Sequence, residues 1–124
     1  MTVANGQQVL TQLLPLKKIQ PNTGQIPGLP KNPRIIRDAR FLKLKKSIED
    51  FPQMLELREV VVYPHGKVYV CIGGNMRLLA CRDLEYSDIP AKILPPDFPI
   101  ERLREFAIKD NVNFGEDDVT LLTE

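Results

Sequence analysis

Residues 58–86 restrict the fold more than any other part of the chain, because they join two β-branched runs to a paired glycine and an apolar segment. The two runs flank a proline- and glycine-containing turn over Tyr63–Gly66, which predicts a β-hairpin. Their apolar residues are continuous, so we expect both sheet faces to be at least partly covered. Beyond Gly73 and Gly74, a mostly buried helix is predicted from about 76 to 85.

The rest of the chain completes the prediction of an α+β domain. Apolar spacing, the cap candidate Asp38 and the stop at Pro52 define the first helix. Apart from residues 58–86, we expect a strand over 13–19, a helix over 37–51, a strand over 88–94 and a helix over 99–112. In the first helix the apolar stripe comprises Phe41, Leu44, Ile48 and Phe51.

Residues 21–33 connect the first strand to the first helix and hold four prolines and two glycines. Neither a helix nor a central strand tolerates that composition, so a loop is predicted. It is longer than most connections. We therefore expect it to carry function or to fold over a neighbouring part of the domain.

Composition places the chain among globular proteins. It has 124 residues, 43% hydrophobic and 27% charged, which suits one domain. No apolar run approaches the length of a membrane span, and the N-terminus lacks the pattern of a signal peptide, so we expect a cytoplasmic protein. Cys71 and Cys81 lack the CxxC spacing of metal and redox sites and are predicted to be buried free thiols.

The charges are unevenly distributed. Residues 1–49 carry nine Lys and Arg against two acids, whereas residues 50–124 carry eight against fourteen. The basic half favours a polyanion, although the two halves could instead neutralise each other within the fold or between subunits. DNA contact is one interpretation of the basic stretch 34–46, and a solvated basic helix face is the other. The candidate DNA contacts are Arg37, Arg40, Lys43 and Lys46.

The turn over Gly73, Gly74 and Asn75 has the chemistry of an anion site. Glycines let a ligand approach the backbone, and the N–H groups and dipole of a helix start favour negative charge. Asn75 is a candidate N-cap, and Arg77 could close over a phosphate with two hydrogen bonds. The alternative is a simple tight turn in which Arg77 pairs with Asp83 or another nearby carboxylate.

Three short motifs in this order resemble the N-terminal domain of the ParB family, within the ParB/sulfiredoxin superfamily. The resemblance covers roughly residues 13–116. Asn32-Pro33-Arg34 matches the family's Asn-Pro followed by Arg, with the proline-rich stretch as an insertion. Gly74-Asn75-Met76-Arg77 aligns with its Gly-Glu-Arg-Arg turn, and Asp110-Asn111-Val112-Asn113-Phe114 is similar to its Glu-Asn-x-Gln-Arg.

This resemblance implies a small mixed sheet with packed helices, which binds cytidine triphosphate with Mg²⁺ and clamps on DNA. Carried onto this sequence, it implies that Asp110 and Asn111 reach a magnesium ion if the fold brings them beside Gly74; otherwise Asn111 is an ordinary residue at a helix C-terminus. The residues implied at the nucleotide phosphates are Gly73, Gly74, Asn75, Arg77 and Arg34.

The departures from the family remove chemistry. Asn75 replaces the turn glutamate, and an amide cannot serve as a general base, so hydrolysis is not expected. Met76 replaces the first arginine of the turn. Sulfiredoxins place Cys-His-Arg after the paired glycines. Because the cysteine is missing here and Cys81 lies too far along the helix, reduction of sulfinic acids is excluded.

The sequence thus predicts an N-terminal extension (1–12), a ParB-like domain (13–116) and the start of a further helix or linker (117–124), as in a fragment of a longer protein. The leading hypothesis is a nucleotide- or phosphate-binding module of a DNA-associated protein of the partitioning, phage or mobile-element type. A catalytically silent domain that positions a DNA-modifying or DNA-reading partner is the alternative. A triphosphatase or ParB-like nuclease comes third, and homodimerisation stays open.

Overall fold

The computed structural model describes residues 9–33 and 35–110, and in this part of the chain five strands and four helices are present. The strands are β1 (Leu10–Pro15), β2 (Ile19–Pro21), β3 (Val60–His65), β4 (Val68–Gly73) and β5 (Asp88–Ile93). The helices are α1 (Ala39–Asp50), α2 (Met54–Leu57), α3 (Asn75–Asp83) and α4, described over 100–110. The predicted α+β class is confirmed.

The strands form one mixed sheet in the order β1-β5-β3-β4-β2. β1 pairs antiparallel with β5 and β3 with β4, whereas β3 runs parallel to β5 and β2 parallel to β4. β1 and β2 are the two edges, yet only the short 3-10 turn Leu16–Lys18 separates them. A flat sheet would hold its edges about 19 Å apart, more than this connection spans, so the sheet is strongly curved.

Both faces of the sheet are covered, as the continuous apolar runs predict. On one face, Phe41 and Ile48 of α1 and Leu78 of α3 pack in the larger core with Val60, Val62 and Cys71 of the strands. On the other, Val70 and Ile72 of β4 pack with Leu103 and Ala107 of α4 and with Ile26 and Leu29 of the proline-rich loop. The expectation that this loop folds over a neighbour is therefore confirmed.

The first helix forms as predicted because its local signals agree. The Asp38 side chain accepts a hydrogen bond from Phe41 N at 3.1 Å and so caps α1. Phe41 and Ile48 are fully buried. Phe51 was expected in the same stripe but lies beyond the end of the helix, where its side chain is 52% exposed.

Two further predictions are corrected, and one helix is added. The strand expected over 13–19 is two strands, because the 3-10 turn interrupts it. The hairpin turns at Gly66 and Lys67 rather than over Tyr63–Gly66, since Gly66 adopts the left-handed conformation (φ 64°) that a two-residue turn requires. His65 accordingly ends β3. The short helix α2 was not predicted.

Among the described residues no helix is long and apolar enough to cross a bilayer.

Candidate functional site

The start of α3 is shaped by Gly74. This residue precedes the helix with φ 88°, a left-handed conformation that side chains other than glycine rarely adopt, and it has no side chain with which to cap. The first bond within the helix runs from Leu78 N to Gly74 O at 2.9 Å. The chain therefore enters α3 directly after Gly74, and the free N–H groups of the first helical turn point outward along the helix axis.

Asn75 is not the N-cap, which corrects the prediction. It is the first residue of α3 and only 5% exposed. Its Oδ1 accepts from the backbone N of Asn22 at 3.1 Å, and its Nδ2 donates to the carbonyl of Cys71 at 3.0 Å. The side chain therefore connects the residue after β2 to the glycine turn. Both of its polar atoms have hydrogen-bond partners within the protein.

Gly73 has a different reason to be glycine. A Cβ at this position would lie 2.7 Å from Cε2 of Phe106, which is shorter than the van der Waals contact distance between two carbon atoms. The absence of a side chain lets α4 pack its aromatic ring directly on the backbone of the turn. Gly73 is thus explained by packing, whereas Gly74 is explained by backbone conformation.

Arg77 lies half-buried beside Gly74. A Cβ on Gly74 would lie 2.7 Å from Arg77 Nη2, so the glycine also leaves room for the guanidinium. Nη2 donates to the carbonyl of Glu59 at 3.3 Å, and Nε is buried and has no hydrogen-bond partner within residues 9–33 and 35–110. The alternative pairing of Arg77 with Asp83 is wrong, because Asp83 accepts two bonds from Arg37 at 2.8 Å each.

The electrostatic setting of Arg77 is unfavourable for a cation. Burial lowers the pKa of Arg77, and the positive charge of Arg58 lowers it further. Cys71 and Asp110 act in the opposite direction but with less effect. A desolvated arginine that lies near a second cation is a candidate for binding an anion.

A cavity of about 180 Å³ opens beside the start of α3, between the helix and the loop after β2. One face of α3 contributes Asn75, Leu78, Leu79 and Arg82, whose spacing is that of successive helical turns. The loop side is formed by Pro21, Asn22, Thr23, Asn32, Pro33 and Ile35. Its described lining residues combine amides, a threonine hydroxyl and one arginine with an apolar floor, and none of them is a carboxylate. Arg77 is not part of it.

Asn22 and Arg82 are the residues that the sequence analysis missed. Asn22 is 3% exposed and donates through Nδ2 to Pro30 O at 2.9 Å, while its Oδ1 accepts from Gly24 N at 3.1 Å, so it organises the loop. Arg82 donates to Ile19 O at 2.8 Å. The signal for Asn22 was its position directly after the proline that ends β2; Arg82 gave no signal beyond its helical spacing from Asn75.

The remaining predicted ligand residues fall at the edge of the described structure. Arg34 and Asn111 lie outside the described residues. Asp110, at the last described position of α4, has its Oδ1 3.7 Å from where a Cβ on Gly73 would lie. The structure therefore brings Asp110 to the turn, next to Phe106. Among the described residues no three acidic, histidine or cysteine side chains cluster as a metal site.

Several side chains of the basic stretch 34–46 form ion pairs. Arg37 binds Asp83, Arg40 lies 3.2 Å from Asp38, and Lys46 lies 3.2 Å from Asp50. Such pairing favours the solvated-face interpretation for these side chains. DNA contact through Arg37, Arg40, Lys43 and Lys46 stays a prediction.

Both cysteines are buried and free, as predicted. Burial raises the pKa of the Cys71 thiol, and it raises the pKa of Cys81 to about 11. Both are therefore protonated at neutral pH and are poor nucleophiles.

Neither a protein-family model nor a curated protein matches the chain. Solved structures do match. The chromosome-partitioning protein ParB of Caulobacter crescentus complexed with CTP-γ-S has a TM-score of 0.65 at 20% identity, over 84% of this chain and 53% of that one. The same protein complexed to the centromeric parS site gives 0.60 at 18% identity, over 82% and 46%.

Sulfiredoxin from Arabidopsis thaliana gives a TM-score of 0.50 at 24% identity, over 78% of this chain and 96% of that one. This chain has the fold shared by ParB N-terminal domains and sulfiredoxin, which confirms the predicted fold. It spans about half the length of the ParB structures that it matches.

Proposed function

We propose that this ParB/sulfiredoxin-like domain binds a nucleoside triphosphate at the start of α3, as a module of a DNA-associated protein. The observation that carries the proposal is Arg77, a half-buried arginine with an unpartnered Nε beside a helix start. A phosphate would supply the negative charge and the acceptor that this guanidinium lacks. The structure of ParB with CTP-γ-S, which shares the fold, supports a triphosphate as the ligand.

Different site residues would contact different parts of the ligand. The backbone of Gly73, Gly74 and Asn75 would face the phosphates together with the side chain of Arg77, and Arg34 would assist from the loop. The cavity next to Asn22 and Arg82 would receive a less charged part of the ligand, because its lining is mainly apolar and amide. At about 180 Å³ it suits a ring rather than a whole nucleotide.

Catalysis is not part of the proposal. Both polar atoms of the Asn75 side chain are bonded within the fold, so this residue, at the place of the family's glutamate, offers neither a base nor a charged metal ligand. We propose that Mg²⁺ arrives with the triphosphate. The Asp110 carboxylate lies beside the turn and would be a protein oxygen ligand available to that ion.

Isothermal titration of CTP, ATP and GTP with Mg²⁺ tests the proposal. We expect heat for at least one nucleotide and a loss of affinity of about tenfold or more in Arg77→Gln, since bonds to a charged group contribute roughly 1.5–3 kcal/mol. Arg102→Gln, an exposed arginine on α4, is the matched control. The absence of heat for all three nucleotides would refute the proposal and favour the silent interaction domain.

A further inference from the structure

We propose that Arg58 is a second phosphate-binding residue, which closes with Arg77 as a two-arginine clamp on the terminal phosphates of the ligand. The inference rests on the proposed function and adds a residue that the family motifs do not include. The clamp would lie on the side of the turn that faces Glu59, away from the cavity beside Asn22.

The backbone places Arg58 beside Arg77. Arg58 ends α2, where its N–H donates to Met54 O at 2.9 Å. The next carbonyl along the chain, that of Glu59, accepts the hydrogen bond from Arg77 Nη2. The segment that carries Arg58 therefore lies against the Arg77 guanidinium, and Arg58 itself is exposed.

The two positive charges lack an ion-pair partner in the described residues, and the negative charge of Asp110 affects Arg77 less than the positive charge of Arg58 does. In the described part of the chain neither Arg58 nor Arg77 forms an ion pair, and the carboxylate of Glu59 lies 3.5 Å from Lys92 instead. The charge of Arg58 disfavours the charged form of Arg77, second only to burial. Like charges kept close without an ion-pair partner are unfavourable, and an anion between them would offset that repulsion.

Guanidinium groups suit a polyphosphate because each can donate two parallel hydrogen bonds to phosphate oxygens. Arg77 is held in place by burial and by Glu59 O, whereas Arg58 is exposed. We infer that Arg77 defines the position of the phosphate and that Arg58 folds over it on binding. The contribution of Arg58 should therefore grow with the number of phosphates on the ligand.

The test is titration of the full chain with inorganic tripolyphosphate and, with Mg²⁺, with CTP and CMP. For Arg58→Gln we expect about tenfold weaker binding of tripolyphosphate and CTP, and a smaller loss for CMP. Arg102→Gln should stay within about twofold of the unmodified protein, because an exposed surface substitution has a small effect. A second readout is the midpoint of thermal unfolding at low salt, which should stay the same or rise in Arg58→Gln.

The outcomes separate this inference from the proposed function. Unchanged binding of both polyphosphates in Arg58→Gln overturns the clamp, while a loss of CTP affinity in Arg77→Gln would leave the proposed function intact. Tripolyphosphate binding that depends on Arg58 without any CTP binding supports the clamp and refutes the nucleotide. A lower unfolding midpoint with unchanged affinity assigns Arg58 a structural role and overturns the clamp. No binding of either polyphosphate to the unmodified protein refutes both.

Discussion

The two main helices of the larger core begin in opposite ways. At the start of α1, Asp38 caps the helix, and Arg37 donates from Nε and Nη2 to Asp83 at 2.8 Å each. At the start of α3 the cap position is a glycine, and Arg77 makes one 3.3 Å bond to a carbonyl while its Nε has no partner. Both starts carry an arginine, but in the described part of the chain only the first is paired with a carboxylate.

This difference separates residues that hold the fold from residues that are available to a ligand. Buried polar groups in folded proteins are normally hydrogen-bonded, so an unpartnered buried nitrogen requires an explanation. The satisfied charges around α1 link it to the end of α3 and stabilise the domain. The unsatisfied charge at the start of α3 contributes nothing comparable to stability, which is why we assign it to binding.

The largest expected effect comes from Asn75→Asp, which tests whether the start of α3 is fixed by an amide rather than by a cap. The new carboxylate would be almost fully buried and would face Cys71 O without a donor, so the free energy of unfolding should fall by about 2–3 kcal/mol. Chemical denaturation measures it. Gln12→Glu makes the same amide-to-acid change on the exposed face of β1 and should change stability by less than about 0.5 kcal/mol. Equal effects of the two would contradict the role given to Asn75.

Gly74→Ala has the next largest effect. Both Gly74 and Gly66 have positive φ, so alanine at either position introduces backbone strain of about 1 kcal/mol. A Cβ at Gly66 meets nothing within 4 Å, whereas one at Gly74 meets Arg77 and Val60 Cγ1 at 3.1 Å. We expect Gly74→Ala to destabilise by about 2 kcal/mol and Gly66→Ala by about 1 kcal/mol in the same denaturation experiment. Identical losses would show that Arg77 is not confined by the turn.

Arg37→Gln and Arg77→Gln should change stability with different sign. Arg37→Gln removes the two hydrogen bonds and the ion pair with Asp83, so the free energy of unfolding should decrease by the small amount typical of exposed ion pairs. Losing Arg77 removes a desolvated cation near Arg58, so the protein should be unchanged or more stable by up to about 1 kcal/mol. Urea titration at low salt compares the two. A clear destabilisation by Arg77→Gln alone would make that arginine structural.

The smallest effect is a pH dependence that arises at α1. A backbone hydrogen bond from Phe41 lowers the pKa of Asp38, and a hydrogen bond from Arg37 lowers the pKa of Asp83. A lowered carboxyl pKa stabilises the folded state above the ordinary value near 3.9, and that contribution is lost as the pH falls through the lowered pKa. The temperature of the unfolding midpoint should therefore decrease as the pH is lowered below about 4. The decrease should be less steep in Asp38→Asn and Asp83→Asn. An unchanged slope in both variants would contradict the pairing.

The sequence by itself determined most of the elements and the fold class. The stripe containing Phe41 and Ile48, with Asp38 before it, predicts α1 because spacing and capping act within one helix. The continuous apolar runs around the hairpin predict a sheet covered on both faces, because successive residues of a strand point to opposite faces and both sets are apolar. The paired glycine marks the turn into α3, and three motifs in order indicate the ParB-like fold.

Only the tertiary structure decided how the site is built. Asn75 was predicted as a cap, but it bonds to Asn22, 53 residues earlier, and Asp83 is taken by Arg37, 46 residues away. Gly73 is glycine because of a ring on α4. These contacts depend on where distant segments meet, and neither spacing nor composition encodes that. The sequence marks Arg77 by its place after the paired glycine, but only packing decides that it is half-buried and, among the described residues, in no ion pair.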